Sequence, residues 1–256
     1  MGKVRNSNEE NTSGGECAVH LAPQGKGGVG ESVVASCLAE FLIRRGKPVR
    51  CIDGNPVNRS LAKDKALAAE SFELMNRDGL IERWRYDALV ERFATTDAVF
   101  ILDSGATAFL PLWGFMVESE MIRVLGEVGR RVYLHIPVTG GEALDDTLPG
   151  FSTIAAAAPD KSVVLWLNEY SGPIVRDGKR LDEMQVYIDN REKVLASIGI
   201  PQRSPDTFGK TIRVMRERKL TFEEAIGPGE FFLLEKSRLY AARRDLFEQL
   251  ESARLA

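Results

Sequence analysis

Short apolar runs that alternate with segments of helical periodicity most strongly restrict the fold of this chain. The first run, residues 17–22, leads through Pro23 into a group of glycines, and apolar residues at helical spacing follow over residues 33–45. Four later apolar runs repeat the pattern and cover residues 48–53, 97–103, 130–138 and 161–168. Strands that alternate with helices are typical of a parallel sheet. We therefore predict an α/β fold with a mostly parallel β-sheet and helices on both of its faces.

The helical segments differ in how clearly the sequence defines them. The first helix should end at Gly46, because two arginines occupy its last turn and Pro48 follows. Residues 57–96 are only loosely helical, whereas residues 140–158 have helical spacing. Residues 230–253 carry one apolar stripe among charges, which predicts a surface helix docked on the body of the protein.

The charge balance excludes a uniformly basic surface. The chain has 34 Lys and Arg against 37 Asp and Glu, a formal charge of −3, so a nucleic acid or an anionic lipid would need a local patch.

The longest nearly apolar stretch, residues 107–117, has about half the length of a membrane-spanning helix. Residues 1–15 are polar and lack the apolar core of a secretory signal. We expect a disordered tail there, a single domain over residues 16–256 and a cytoplasmic protein.

The few cysteines and histidines argue against a zinc site and a Ser-His-Asp triad. Cys17, Cys37 and Cys51 are scattered and odd in number, which favours reduced thiols in the core. His20 and His135 lie far apart in the sequence, and we interpret them as residues of buried strands.

Residues 24–32, QGKGGVGES, lie where the first strand gives way to the first helix. They follow the phosphate-binding pattern GxxxxGK[ST], in which glycines let backbone N–H groups converge on phosphate oxygens at a helix N-terminus. Ser32 matches the pattern, and its hydroxyl would hold Mg²⁺. Lys26 completes the KGGVG form of the loop, but Glu31 stands where the pattern has lysine. The segment predicts a nucleotide site with an altered centre.

Polar residues follow three of the predicted strands. Asp53 ends the second strand, where an acid orients an attacking or magnesium-bound water, although the following Asp-Gly turn is an alternative reason for it. Asp103 ends the third strand in the place of an acid that reaches Mg²⁺ indirectly, and Gly105 lets the chain turn beneath a phosphate. Asn168 either hydrogen-bonds the adenine edge or forms an ordinary turn at the end of its strand.

On these motifs the chain resembles the deviant Walker-A P-loop ATPase superfamily, which includes the plasmid-partition ParA and division-site MinD proteins. A closer resemblance, to the TraL family of conjugal transfer proteins, rests on segments spread from His20 to Leu250. These segments are HLAPQGKGGVGES, CIDGNPVN, LDSGATAFLPL, HIPVTGGEALDDT, VLWLNEYSGPI and RRDLFEQL. The resemblance implies a P-loop protein that binds ATP or ADP with Mg²⁺, hydrolyses ATP and forms a homodimer around nucleotide. Its implied partners are conjugative transfer proteins near a type IV secretion apparatus.

The loop and the resemblance together predict the members of the site. Lys26, Asp53 and Asp103 are the catalytic candidates, and Lys26 is implied to reach the phosphates bound by a partner subunit. Ser32, Asp53 and Asp103 are the candidate Mg²⁺ ligands, partly through water. The predicted nucleotide-binding residues are Gly25, Gly27, Gly28, Val29, Gly30, Glu31, Ser32, Val33 and Asn168.

Glu31 changes what this site is expected to do. A lysine at this position would attract phosphate, whereas a glutamate carboxylate repels it. We therefore expect weak or lost binding of ATP and slow conversion of ATP to ADP and phosphate. A dimer held by bridging nucleotide should weaken as well, and a monomer is the alternative.

Other classes of function remain open at this point. One is a nucleotide-independent scaffold for transfer proteins. Another is a DNA-binding partition-type factor that uses residues 203–219, where six basic and two acidic residues leave a local charge of +4. A solvated helix face is the simpler explanation of that charge. A lipid-binding C-terminal helix is disfavoured, because residues 245–256 contain three acids and one arginine.

Overall fold

The computed structural model describes residues 17–23, 28–54, 60–72 and 82–255, except for the side chains of residues 106 and 107. Its strands are β1 Ala18–Ala22, β2 Val49–Asp53, β3 Glu70–Ser71, β4 Val99–Asp103, β5 Arg131–Thr139, β6 Val163–Asn168, β7 Val175–Arg176, β8 Lys179–Arg180 and β9 Val194–Ile200. Seven strands form one sheet in the order β3-β2-β4-β1-β5-β6-β9, and all neighbouring pairs are parallel. Strands β7 and β8 form a separate antiparallel pair. The predicted α/β fold with a mostly parallel sheet is confirmed.

Helices connect the parallel strands. They are α1 Glu31–Arg44, α2 Trp84–Thr95, α3 Gly105–Glu118, α4 Met121–Glu127, α5 Leu144–Ala157, α6 Gln185–Asn190, α7 Lys210–Glu217, α8 Phe222–Ile226 and α9 Leu233–Ala253. Helix α1 ends as expected, because Gly46 with φ +72° provides a left-handed turn that L side chains rarely adopt. None of the helices in the described part of the chain is long and apolar enough to cross a membrane.

Two apolar clusters lie on opposite faces of the sheet. One cluster joins the sheet to α2, α3, α4 and α5, and its largest fully buried side chains include Tyr86, Phe93 and Phe151. The other joins the sheet to α1, α7, α8 and α9 and contains Trp166. Burial of both faces explains why the central strands are apolar along their whole length. Helices therefore cover both faces, as predicted.

Both histidines lie on buried strands and two of the three cysteines lie in the core, as predicted, but the prediction of a core thiol is wrong for Cys17. His20 on β1 and His135 on β5 are buried, and His135 Nε2 lies 2.9 Å from His20 Nδ1. The Trp166 indole N–H donates to His135 Nδ1 over 3.0 Å. Cys37 and Cys51 are buried free thiols, whereas Cys17 is partly exposed and donates to Asp97.

Some elements differ from the sequence prediction. Within residues 60–72 and 82–96, the described parts of the loosely helical segment 57–96, α2 is the only α-helix, and residues 60–72 contain a 3₁₀ turn at Lys65–Leu67 and the short strand β3. Strand β9 was not predicted, because its apolar residues alternate with small and polar ones near the edge of the sheet. The final helix begins at Leu233 rather than near Glu230. The tail predicted over residues 1–15 lies outside the described residues.

Candidate functional site

The carboxyl ends of β2 and β4 place two aspartates side by side. Asp53 and Asp103 are register partners at the last position of adjacent parallel strands, and both are buried. The Gly54 N–H donates to the Asp103 backbone oxygen over 2.8 Å, and the Gly105 N–H donates to Asp103 Oδ1 over 3.3 Å. Gly105 has φ +64°, so it makes the turn into α3 that the sequence predicted.

Ser32 joins this pair from the first turn of α1. Its hydroxyl donates to Asp103 Oδ2 over 2.5 Å. Burial raises the pKa of Asp103 to about 6; the Ser32 hydrogen bond opposes that rise, and the nearby charge of Asp53 adds to it. A hydroxyl and two carboxylates thus converge where a helix N-terminus meets the ends of two strands.

The described end of the glycine loop is held by side chains from β5 and β6. The Val29 carbonyl accepts from Thr139 Oγ1 at 3.0 Å and from Asn168 Nδ2 at 3.2 Å. Gly30 has φ +110°, and a Cβ there would lie 3.4 Å from Asn168 Nδ2. The left-handed backbone conformation therefore favours glycine at position 30, whereas a Cβ would make only a close contact with Asn168.

Asn168 has a local structural role. Besides its contact with Val29, its Oδ1 accepts from the Tyr170 N–H at 3.1 Å. Both ends of this side-chain amide are therefore engaged within the chain. Its predicted contact with an adenine edge stays a prediction.

Glu31 is buried at the first position of α1. Its Oε1 atom has no hydrogen-bond partner among the residues that the structure describes. Burial, followed by the neighbouring Asp103 carboxylate, raises the pKa of Glu31 to about 9. The side chain is therefore uncharged near pH 7. A protonated carboxyl repels phosphate less than a carboxylate does, but it still lacks the attraction of a lysine, so weak binding of ATP stays the prediction.

A second polar network joins α1 to the loop after β2 and to α7, and the sequence did not indicate it. The Ala62 N–H donates to Asp53 Oδ2 over 2.8 Å, which fastens the loop after β2 to the site. Two residues later, the buried Asp64 accepts from Ser36 and from Arg216, each at 3.0 Å. This ion pair joins residues that are 152 positions apart, and no local pattern indicates such a pairing.

A cavity of about 400 Å³ opens beside Gly28, Val29 and Gly30. It continues past Asn168 along α1 and is closed by β9, α7 and α9. Val33, which the sequence also assigned to the site, lines this cavity and packs against the neighbouring apolar cluster. The volume is within the roughly 300–1,000 Å³ of small-molecule sites.

The basic segment over residues 203–219 is largely neutralised by ion pairs. Arg203 pairs with Asp245 at 2.5 Å, Arg216 with Asp64 at 3.0 Å, and Arg218 with Glu230 at 3.6 Å. Arg213 lies 3.9 Å from Glu217. These contacts weaken the argument for a DNA-binding patch, which stays an untested prediction.

Three predicted site residues, Gly25, Lys26 and Gly27, lie outside the described residues. Within residues 28–54, 60–72 and 82–255 no group of three or more His, Cys, Asp or Glu side chains is arranged to hold a metal ion by itself. The structure thus brings together Ser32, Asp53 and Asp103 and sets Glu31 beside them.

Comparison with known proteins identifies the family. Two proteins from Escherichia coli, each named Protein TraL, are 36% identical to this chain over 236 residues, which is 92% of this chain and 98% of each relative. The chain belongs to the TraL family. No protein-family profile matches the chain.

Solved structures place the TraL-family chain in a wider fold group. It superposes on a chain of the MinC:MinD cell division protein complex of Aquifex aeolicus with a TM-score of 0.51 and 13% sequence identity. It also superposes on the MinD cell division protein of Aquifex aeolicus, with a TM-score of 0.50 and 15% sequence identity. The superpositions cover 92% of this chain and 96% and 97% of those chains. At such low identity the likeness establishes a shared fold alone.

Proposed function

We propose that this TraL-family chain binds ATP or ADP with Mg²⁺ at the carboxyl end of the sheet and serves conjugative plasmid transfer. The role in transfer rests on membership of the TraL family. The proposal of a nucleotide rests on the Ser32–Asp103 hydrogen bond at the start of α1, beside an anchored glycine loop and a 400 Å³ cavity. A helix N-terminus favours anions, and the adjoining cavity offers room for a nucleoside.

The donor set suits magnesium better than a transition metal. Ser32, Asp53 and Asp103 offer hydroxyl and carboxylate oxygens, which are the ligands that Mg²⁺ prefers. Mg²⁺ commonly keeps several waters and takes further oxygens from substrate phosphates. A site without three or more converging acidic or imidazole ligands is therefore compatible with Mg²⁺ bound together with nucleotide. When bound, the ion neutralises negative charge on the phosphates.

Each residue then has a definite task. Ser32 and Asp103 hold one another in place, and Asp53 is positioned by the Ala62 N–H to orient a water. Thr139 and Asn168 fix the Val29 carbonyl and so the end of the loop. Lys26 would contribute charge across a dimer. Among the described residues, the proposed site has both of its acids and its hydroxyl, and Glu31 stands where the pattern has lysine.

The missing lysine sets the expected activity. Loss of about 3 kcal/mol of attraction between an ammonium and phosphate would weaken binding roughly a hundredfold, since each 1.4 kcal/mol is about tenfold. Hydrolysis should suffer more, because the same charge stabilises the transferring phosphoryl group. The chain is therefore a weak nucleotide binder with very slow ATPase activity.

Calorimetric titration with Mg-ADP and Mg-ATP tests this function on the chain and on its Glu31→Lys variant. Glu31→Lys should tighten both titrations by roughly a hundredfold and restore release of phosphate from ATP. Glu31→Gln is the matched control: it keeps the size of the side chain but has no ammonium, so it should resemble the parent. A Glu31→Lys protein that is folded yet binds no nucleotide would disprove the assignment.

A nucleotide-independent scaffold is the second candidate, favoured by the burial of an uncharged Glu31 within the site. It predicts no change in melting temperature at millimolar Mg-ATP, whereas nucleotide binding stabilises the fold by mass action. Light scattering of the Glu31→Lys variant with and without Mg-ATP would test the proposed dimer separately.

A further inference from the structure

The amino-terminal end of the sheet, opposite the glycine loop, contains a second and larger cavity. This basal groove has a volume of about 1230 Å³. Its floor consists of the first residues of β5, residues 159–162 just before β6 and part of β9, and its walls are α4 and the last turns of α9. Small-molecule sites extend to roughly 1,000 Å³. The basal groove is therefore large for a metabolite and suits an elongated occupant.

The acidic residues of the basal groove are already neutralised. Asp160, Asp245 and Glu248 line it. Each is paired with a cation that is not part of the lining. Asp160 pairs with Lys193 at 2.8 Å, and Glu248 lies 3.8 Å from Arg244. Asp245 pairs with Arg203 at 2.5 Å and with Arg244 at 2.9 Å. The acids of the wall therefore contribute little net negative potential to the groove.

Several cations of the lining have no carboxylate partner among the residues that the structure describes. Lys161 donates only to the Val194 carbonyl, at 3.1 Å, and Arg130 donates to the Ala94 carbonyl, also at 3.1 Å. The second terminal nitrogen of Arg130 is buried and lacks a hydrogen-bond partner among these residues. Arg254 is exposed after the end of α9 and makes no ion pair within the described ranges. Arg130 is thus partly buried, whereas the exposed Lys161 and Arg254 lack carboxylate partners in the described ranges and can bind carboxylates.

An open strand edge adjoins these cations. Among the strands that the structure describes, β9 is the last of the sheet, so one side of its backbone faces none of them. The Gln249 side chain covers that edge at Gly199, where it bonds both the N–H and the carbonyl. Two residues earlier, Ser197 is exposed and directs its backbone to the same side. A strand edge of this kind can pair with an extended peptide.

The opposite edge of the sheet differs. β3 has two residues, and Glu70 within it pairs with Arg92 at 2.7 Å and lies 3.7 Å from Arg50. A short edge with charged side chains is protected from pairing. The longer β9 edge has no comparable charged pair on its own strand, so it is the better place for a docked segment.

We propose that the basal groove docks an extended acidic segment of a partner protein. The segment would add to the edge of β9 near Ser197 and place carboxylates against the exposed Lys161 and Arg254. A polypeptide is favoured over a nucleic acid because the groove has a free backbone edge and apolar lining residues such as Ile122 and Leu195. Among the described residues, Tyr133 is the only aromatic side chain of the lining; it is buried and stacks on His20, so it presents no face to a base.

The test uses the full chain and a fluorescein-labelled peptide of ten residues with alternating Glu and Thr, measured by anisotropy at low salt. Lys161→Glu combined with Arg254→Glu should weaken binding of the peptide at least about tenfold, because the glutamates on one face of the peptide lose both cations that they would contact. The matched control is Lys210→Glu with Arg213→Glu on α7, which makes the same change of charge elsewhere. It should alter binding less than about twofold.

A second pair of variants tests strand addition apart from charge. Ser197→Pro removes a backbone N–H that the peptide would use, and proline is tolerated at the edge of a sheet. It should weaken binding several-fold relative to Ser197→Ala, which keeps the N–H. Melting temperatures of all variants establish that they are folded.

Four results would overturn the proposal. The peptide would fail to bind, the two charge variants would weaken it equally, or Ser197→Pro would match Ser197→Ala. A thymidine oligonucleotide of similar charge serves as competitor, and its tighter binding to the basal groove would show that the occupant is a nucleic acid instead. None of these outcomes depends on Glu31 or on nucleotide.

Discussion

The carboxyl and amino ends of the sheet hold charges of opposite sign and differ in how those charges are solvated. At the carboxyl end, Asp53 and Asp103 are buried beside the N-terminus of α1. At the amino end, Lys161 and Arg254 are exposed just beyond the C-termini of α5 and α9. Both arrangements complement the helix dipoles.

The difference in solvation matters more than the difference in sign. Buried acids are held in one geometry by hydrogen bonds, and their pKa values move with their surroundings, as that of Asp103 does. Exposed cations stay hydrated and keep their side-chain freedom, so they suit partners that exchange. The two ends therefore suit the two occupants that we propose: an ion with phosphates at one end and an acidic polypeptide at the other.

The largest effect should follow from breaking the buried ion pair behind the carboxyl end. Arg216→Leu leaves Asp64 buried without its cation, and we expect a loss of about 3–5 kcal/mol in the free energy of unfolding. Urea denaturation of both proteins measures it. A loss below 1 kcal/mol would mean that Asp64 is not held as a buried charge.

The buried histidines between the two ends should make stability depend on pH. Burial lowers the pKa of His20 to about 3, and that of His135 is also lowered. The unfolded chain binds these protons below about pH 6.5, so stability is present above that pH and falls as the solution becomes more acidic. One such histidine should cost about 2 kcal/mol at pH 5.

Denaturant unfolding at pH 5 and pH 7, with His20→Phe as the comparison, isolates this effect. The variant should lose part of the difference in stability between the two pH values. Carboxyl groups with raised pKa values act in the opposite direction in both proteins. Equal pH dependence in the two proteins would contradict the role of His20.

A smaller effect should follow from removing the Ser32 hydroxyl. In a Glu31→Lys background, Ser32→Ala should reduce the enhancement of ATP binding by Mg²⁺ about tenfold, since one oxygen ligand is lost. Calorimetry with and without Mg²⁺ measures this, and Ser237→Ala on the exposed surface of α9 is the control. An unchanged enhancement would remove Ser32 from the proposed metal site.

The smallest effect should come from the amino end. Lys193→Ala breaks an exposed pair with Asp160, and we expect less than about 1 kcal/mol of destabilisation. Comparison with Arg216→Leu under the same conditions would sharpen the contrast between buried and exposed charges. A loss as large as that of Arg216→Leu would abolish the contrast.

Local pattern was sufficient for the central strands and for the start of the site. β1, β2, β4, β5 and β6 were predicted because strands buried on both faces are continuously apolar. The placement of Asp53 beside Asp103 follows from parallel pairing, which brings the carboxyl ends of strands to one edge. By contrast, β9 is only partly buried, so its pattern is weak and it was missed.

Ion pairs between residues that are far apart in the chain could not be predicted from the sequence. Residues 203–219 read as a patch of charge +4, yet Arg203, Arg216 and Arg218 each meet a carboxylate from a distant segment. Glu31 read as a negative charge, yet its burial beside Asp103 keeps it protonated near neutral pH. Charge in a sequence is formal, whereas its sign and reach in the fold depend on burial and partners.

The amino-acid sequence by itself determined the alternation of strands and helices, the glycine loop and the acids at strand ends, because each is written in neighbouring residues. Only the tertiary structure decided which strand forms the open edge, which arginines are neutralised and where unpaired cations gather. Those properties depend on contacts between residues far apart in the chain, and local sequence patterns do not indicate such contacts.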